Sequence, residues 1–319
     1  MSTAFWTRSP GKLEVREREI IARLFDFTKT ESVCTGVGDD AAVVSADGQQ
    51  LAVSTDSLNE GVHFFFDADP FLLARKSAAV SLSDMAAMGA RPLWMTAALT
   101  TAHDVEWLSR FAEGLKSSAA EYDYAIIGGD LCRGKKTSVT TTVIGAIDKT
   151  PLLRSSAKAG DEVWISGALG EAALAVHCRK NNITSRYESE INTRLNEPVP
   201  RVKLGQKLVG VASATMDISD GLFSTAVEVA TQSKVKILLR RHDMPLAPAL
   251  SELPEDLQNR LMFAGGDDYE LFFCAPPAAH SFITAEKAFC IGKVEAGSGV
   301  VVEGADELTM DGYEHDFGE

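Results

Sequence analysis

The chain has 319 residues, 45% of them hydrophobic and 24% charged, enough for one large or two ordinary soluble domains with proper cores. Thirty-one basic against 45 acidic residues give a net charge of −14, which argues against a nucleic-acid or anionic-membrane partner. No apolar run is long enough to cross a bilayer, and the five cysteines form no C-x-x-C pair, as expected of reduced thiols in a cytoplasmic protein.

Residues 1–12 lack the apolar core of a signal peptide and read as a tail. Residues 13–28 carry Ile20, Ile21, Leu24 and Phe25 at helical spacing. Ala41–Ser45 and Leu51–Ser54 read as strands around an Asp47-Gly48 hairpin turn. Asp69-Pro70 opens a helix that runs to Met88 and stops at Gly89. Residues 104–120 suggest a helix, Tyr124–Ile127 a buried strand ending at Gly128-Gly129-Asp130, and Ser138–Ile147 a long β-branched strand. Lys149-Thr150-Pro151 is the best boundary, dividing an N-terminal domain (13–149) from a C-terminal one (150–319). Beyond it come a strand (Val163–Ser166), helices at Glu171–Asn181 and Arg201–Leu208, and a strand at Ala214–Ile218. A helix from near Asp220 and strands at Val235–Leu239, Tyr269–Cys274 and Phe289–Val294 complete the series. Both halves mix helices and strands, so the fold class is α/β (α+β) with two domains.

Aspartates beside small residues recur along this frame: Gly-Val-Gly-Asp-Asp (36–40), Ser-Thr-Asp (54–56), Leu-Ser-Asp (82–84), Gly-Gly-Asp (128–130), Asp-Ile-Ser-Asp-Gly (217–221) and Gly-Gly-Asp-Asp-Tyr-Glu (265–270). Crowded carboxylates repel and call for cations. Hard oxygen donors without Cys/His spacing favour Mg²⁺, which borrows further oxygens from phosphates. Each run has an ordinary alternative as a surface turn or cap. Three of them are expected at strand ends, where ligands of α/β folds bind. Asp84 falls in the last turns of its helix, where a carboxylate opposes the helix dipole and a cation would explain it. No G-x-x-x-x-G-K-[ST] loop, kinase signature or G-x-G-x-x-G occurs, and the six histidines are scattered. Arg154, just past the boundary, is the arginine best placed for a phosphate. These residues describe a nucleotide-handling enzyme that reaches phosphates through metal.

The ordered set of runs, with Leu-Ser-Asp-Met-Ala-Ala-Met-Gly-Ala and the Asp-Tyr-Glu-Leu ending, resembles the thiamine-monophosphate kinases of the aminoimidazole-ribonucleotide synthetase (PurM-like) superfamily over roughly residues 17 to 317. The resemblance implies a PurM-like fold whose N-terminal sheets pair into a homodimer. It implies transfer of the ATP γ-phosphate to thiamine monophosphate, giving thiamine diphosphate. Its metal ligands would be Asp40, Ser54, Thr55, Asp56, Asp84, Asp130, Asp217 and Asp220. ATP would meet Gly129, Asp130, Arg154 and Ser219, and the substrate His63, Glu270 and Tyr313. Asp267 departs from the family, which more often has Glu there. A phosphate-monoester acceptor, with its second pKa near 6, is already a nucleophile, so no general base is expected. A Mg²⁺-dependent phosphatase and a nucleotide sensor are the competing readings, while selenophosphate synthesis would want a lysine beside Cys34 that is missing.

Overall fold

The computed structural model describes Ile21 and residues 30–305; apart from Ile21, the expected 13–28 helix lies outside the residues it describes, as does Tyr313. The chain forms two six-stranded sheets, one from each side of residue 149. The first sheet contains β1 (Val33–Thr35), β2 (Ala42–Ala46), β3 (Gln49–Asn59), β4 (Arg91–Thr101), β5 (Ala125–Arg133) and β6 (Ser138–Ile147), in the order β1-β2-β3-β6-β4-β5. The second contains β7 (Glu162–Ile165), β8 (Ala214–Ile218), β9 (Lys236–Arg240), β10 (Glu270–Ala275), β11 (Phe289–Glu295) and β12 (Gly299–Glu303), in the order β12-β9-β11-β7-β10-β8.

Helix α1 (Pro70–Ala87) lies between the sheets. Asp69 caps it, its Oδ1 accepting from the amides of Phe71 (2.8 Å) and Leu72 (3.1 Å). Gly89, at φ 66, ends the turn in the left-handed region. The helix is buried nearly all round, which suits a central element. Its Leu82, Met85 and Met88 share a core with Val139 and Val143 of the first sheet and with Leu271 and Phe273 of the second. Alternation along β10 sends Phe272 and Cys274 the other way, into a second core beneath α3 (Glu171–Asn181), α4 (Glu188–Asn196), α6 (Leu222–Ser233) and α7 (Glu255–Ala264). Helix α2 (Val105–Tyr122) packs on α1, and α5 (Val202–Leu208) meets its C-terminal end, where the Gly205 position lies so close to Ala86 O that a Cβ there would clash at 2.0 Å. A short helix α8 (His280–Ala285) precedes β11.

Two strand-end expectations are corrected. Ser54-Thr55-Asp56 sits inside β3, and Gly128-Gly129-Asp130 inside β5, which runs on to Arg133. Glycine does not end β5, because it runs parallel to β4 and its ladder continues through Gly128 and Gly129 to Arg133. The strand is also exposed throughout rather than buried, because it is the edge of its sheet. No described helix is long and apolar enough to cross a membrane.

Candidate active site

Three carboxylates converge where the halves meet. Asp40 follows the Gly38 turn (φ 115) ahead of β2, Asp84 sits one turn from the end of α1, and Asp217 is the penultimate residue of β8. An oxygen of each lies within 4.8 Å of the others. Helix α1 supplies hydroxyls to match: Ser83 Oγ donates to Asp217 at 2.7 Å and Ser81 Oγ to Asp56 at 2.9 Å. Ser54 on β3 donates to Asp84 in return. Ser54 was among the expected ligands, whereas Ser81 and Ser83 were not, although hydroxyls one and three residues before Asp84 were the available signal. Arg154, in a single 3-10 turn, donates to Asp40 Oδ1 at 2.6 Å and lies beside Asp39.

The electrostatics are those of excess buried negative charge. Burial, reinforced by Asp40, pushes Asp217 up to about 8. Burial pushes Asp84 well above the carboxylate range, with Asp56, Asp217 and Asp40 adding to it. Asp56 is raised mainly by burial, and Asp39 goes up to about 6 through burial and its neighbour Asp40. Burial alone would lower the Arg154 guanidinium, but Asp40 and Asp39 hold it above its ordinary value. Asp40 Oδ2 is buried without a hydrogen-bond partner. An orphaned, buried carboxylate oxygen facing two more carboxylates fits a hard divalent cation.

Beside the cluster opens a cavity of about 400 Å³ whose wall includes Asp56, His63, Phe64, Phe65, Ser219, Asp220 and Tyr269. His63 Nδ1 accepts from the Asn59 amide at 3.0 Å, which leaves Nε2 to carry the proton when the ring is neutral. Ser219 and Asp220 follow β8, the one expected strand-end run that does lie at a strand end.

Four residues expected in the site are elsewhere. Thr55 points to the opposite face of β3 from Ser54 and Asp56, because side chains alternate along a strand, and it is hydrogen-bonded to Thr142 at 2.9 Å. The register β3-β6-β4-β5 aligns Ser57, Thr140, Ala98 and Asp130, so Asp130 also occupies that far face. Gly129 is aligned with Asp56 but three strand spacings away, about 14 Å. Glu270 does not line the cavity. It is 1% exposed, accepting from Arg201 Nε at 2.6 Å, from Arg194 at 2.8 Å and from Ser166. Burial would raise its pKa, but the Arg201 and Arg194 bonds bring it below the usual value.

The model for "AIR synthase related protein, N-terminal domain" matches residues 38–147, the stretch that carries Asp40, Asp56 and Asp84. The first half of the chain thus carries an AIR synthase-related N-terminal domain. The thiamine-monophosphate kinase of Salmonella typhimurium is 36% identical, covering 94% of this chain and 98% of its own, and that of Escherichia coli K12 is 35% identical with the same coverage. The crystal structure of thiamine-monophosphate kinase from Stenotrophomonas maltophilia K279a is 36% identical, with a TM-score of 0.76 over 90% of this chain and 95% of that one. The structure described as AaThiL complexed with AMPPCP and TMP is 29% identical and reaches 0.85 over 98% of this chain and 100% of the other. The chain belongs to the thiamine-monophosphate kinase family.

Proposed function

We propose that the protein transfers the γ-phosphate of ATP directly to thiamine monophosphate, giving thiamine diphosphate, the last step in making that compound. The observation that carries this reading is the buried Asp40–Asp84–Asp217 cluster at the edge of a 400 Å³ cavity. The likeness to a structure holding an ATP analogue and TMP over 98% of the chain supports it.

Asp40, Asp84 and Asp217 would hold Mg²⁺, with Asp56 and Asp220 at the cavity edge as further ligands. Bound there, the metal would neutralise phosphate oxygens of two polyanions that otherwise repel. Arg154, already fixed by Asp40, would orient a nucleotide phosphate as a planar donor, and Ser219 would offer a hydroxyl beside it. Phe64, Phe65 and Tyr269 would wall the acceptor's rings, with His63 as a polar anchor. No residue needs to remove a proton, since the acceptor phosphate is largely a dianion at neutral pH. In-line transfer then depends on positioning and charge neutralisation.

We further propose a homodimer through the first sheet. No described helix covers the face that carries Leu51, Val53, Thr55, Thr142, Ile144, Trp94 and Asp130, and the edge strand β5 leaves Ile127 and Leu131 exposed. ATP as donor supports a cytoplasmic place of action. The test is ADP release with and without thiamine monophosphate, together with product analysis. Thiamine diphosphate appearing with ADP supports the reading. Free phosphate points to a phosphatase, and binding without turnover to a sensor.

A further inference from the structure

Lys76 is a buried cation that the proposed transfer does not use. It lies on α1 eight residues before Asp84, its side chain is 3% exposed, and it forms part of the cavity wall. Burying an ammonium is costly unless it is paired. Its ion pair is with Asp267 Oδ1 at 3.1 Å, and its bond to the His63 carbonyl, at 3.4 Å, is long. The Tyr269 hydroxyl donates to the same Asp267 oxygen at 3.2 Å. Asp267 and Tyr269 both have left-handed backbones, at φ 67 and 51, uncommon for residues with side chains. Their amides are fixed to Ser219 O and Ile218 O, each at 2.8 Å. The segment thus accepts backbone strain while holding a carboxylate against Lys76 at the cavity wall. Strain kept at a cavity is a sign of use.

The cavity wall carries three carboxylates, those of Asp56, Asp220 and Asp267, against two lysines, of which Lys180 is exposed and Lys76 buried. An anionic acceptor entering such a wall needs a cation inside it. We propose that Lys76 recognises the phosphate monoester of the acceptor, giving up Asp267 for the phosphate, and so sets the preference for phosphorylated over unphosphorylated acceptor. The inference rests on the kinase reading above. A phosphate dianion offers more charge and more acceptor oxygens than the single carboxylate it displaces. A lysine suits the exchange, being a point charge on a flexible stem whose donors can turn from one anion to the other. Asp267 is then the seat that keeps the ammonium in place when the cavity holds no acceptor.

The test compares wild type, Lys76→Met and Lys76→Arg by calorimetric titration with thiamine monophosphate and with thiamine, and by steady-state kinetics. Lys76→Met should weaken binding of thiamine monophosphate about ten- to a hundredfold, the loss expected of one charged bond. It should leave thiamine binding and the KM for ATP near wild type, so the preference between the two acceptors collapses. Lys76→Arg, which keeps the charge, should retain the preference. Should Lys76→Met fail to fold, Lys76→Gln takes its place in the comparison. An unchanged preference in the neutral variant, or its loss in Lys76→Arg as well, overturns the assignment. Wild-type protein that binds both acceptors but releases no ADP with thiamine monophosphate overturns the kinase reading instead.

Discussion

Asp84 concentrates the conflict on which the site is built, being buried among Asp40, Asp56 and Asp217 on a rigid helix with Ser54 as its hydroxyl donor. Asn at this position keeps an acceptor for Ser54 and gives an amide that can donate to a neighbouring carboxylate. Asp84→Asn should therefore raise the melting temperature of the metal-free protein while cutting phosphoryl transfer by roughly a hundredfold or more, since a proposed metal ligand would be gone. Near-wild-type turnover at saturating Mg²⁺ would remove Asp84 from the machinery. The same conflict sets a pH dependence. Asp217 titrates near 3.8 when unfolded and at about 8 in the fold. Between those values the folded chain holds a proton that the unfolded chain has lost, so raising the pH favours unfolding. The group's stabilising effect is complete below the lower value and lost as pH rises through the upper one, with Asp56 and Asp84 acting in the same direction. In chelator, the melting temperature should fall from about pH 5.5 to about pH 8, and the gain on adding Mg²⁺ should grow over that window. A flat or rising profile in chelator would mean that the aspartates ionise freely.

At the level of elements, local signals worked where they acted alone. Asp69-Pro70 and Gly89 bracket α1 within a residue of the expected ends, and the Asp47-Gly48 turn joins β2 to β3 as the hairpin rule requires. Arg91–Thr101 escaped notice because Arg91-Pro92 opens β4 like a loop, and Glu255–Ala264 because so polar a run has only a thin apolar stripe. The aspartates that meet could be picked out by neighbours and spacing, but not by face or sheet order. Thr55 is adjacent to Asp56 yet points the other way, and Asp130 lies across three strand intervals. Glu270 shows the same limit: its strand was legible, while the arginines that claim it come from α4 and the start of α5, about 70 positions away. It links β10 to two helices. Glu270→Gln should cost about 2–3 kcal/mol by leaving Arg194 and Arg201 without their anion, read as a lower urea midpoint. The KM for thiamine monophosphate in the folded variant should hold within about threefold of wild type. A tenfold rise at unchanged stability would return Glu270 to the substrate site.

Across the whole molecule, the site exists because two sheets clamp one helix. The first half brings Asp40, Asp56 and Asp84, the second brings Asp217, Ser219 and Asp220, and Ser83–Asp217 and Arg154–Asp40 tie them together. Helix α1 covers only one face of the first sheet. On the other, Leu51, Val53 and Ile144 sit among threonines, with Trp94 41% exposed. Apolar area of this kind is worth about 25 cal/mol per Å² once removed from water, and a sheet face with an exposed edge invites pairing with its own copy, since a two-fold interface needs only self-complementarity. Placing a charge at the middle of that face should cost the dimer far more than the monomer, whose core lies on the opposite side. Ile144→Glu should thus elute as a monomer by size-exclusion chromatography with light scattering, where wild type should elute as a dimer. Its circular dichroism should remain that of a folded α/β chain, because Val139 and Val143, the neighbours that face α1, are untouched. A wild type that is monomeric at micromolar concentration, or an Ile144→Glu dimer as tight as wild type, would place the interface elsewhere or nowhere. Activity measured on the same fractions tells whether one copy suffices: all the carboxylates of the cluster come from a single chain, so the monomer should retain nucleotide binding even where pairing is lost.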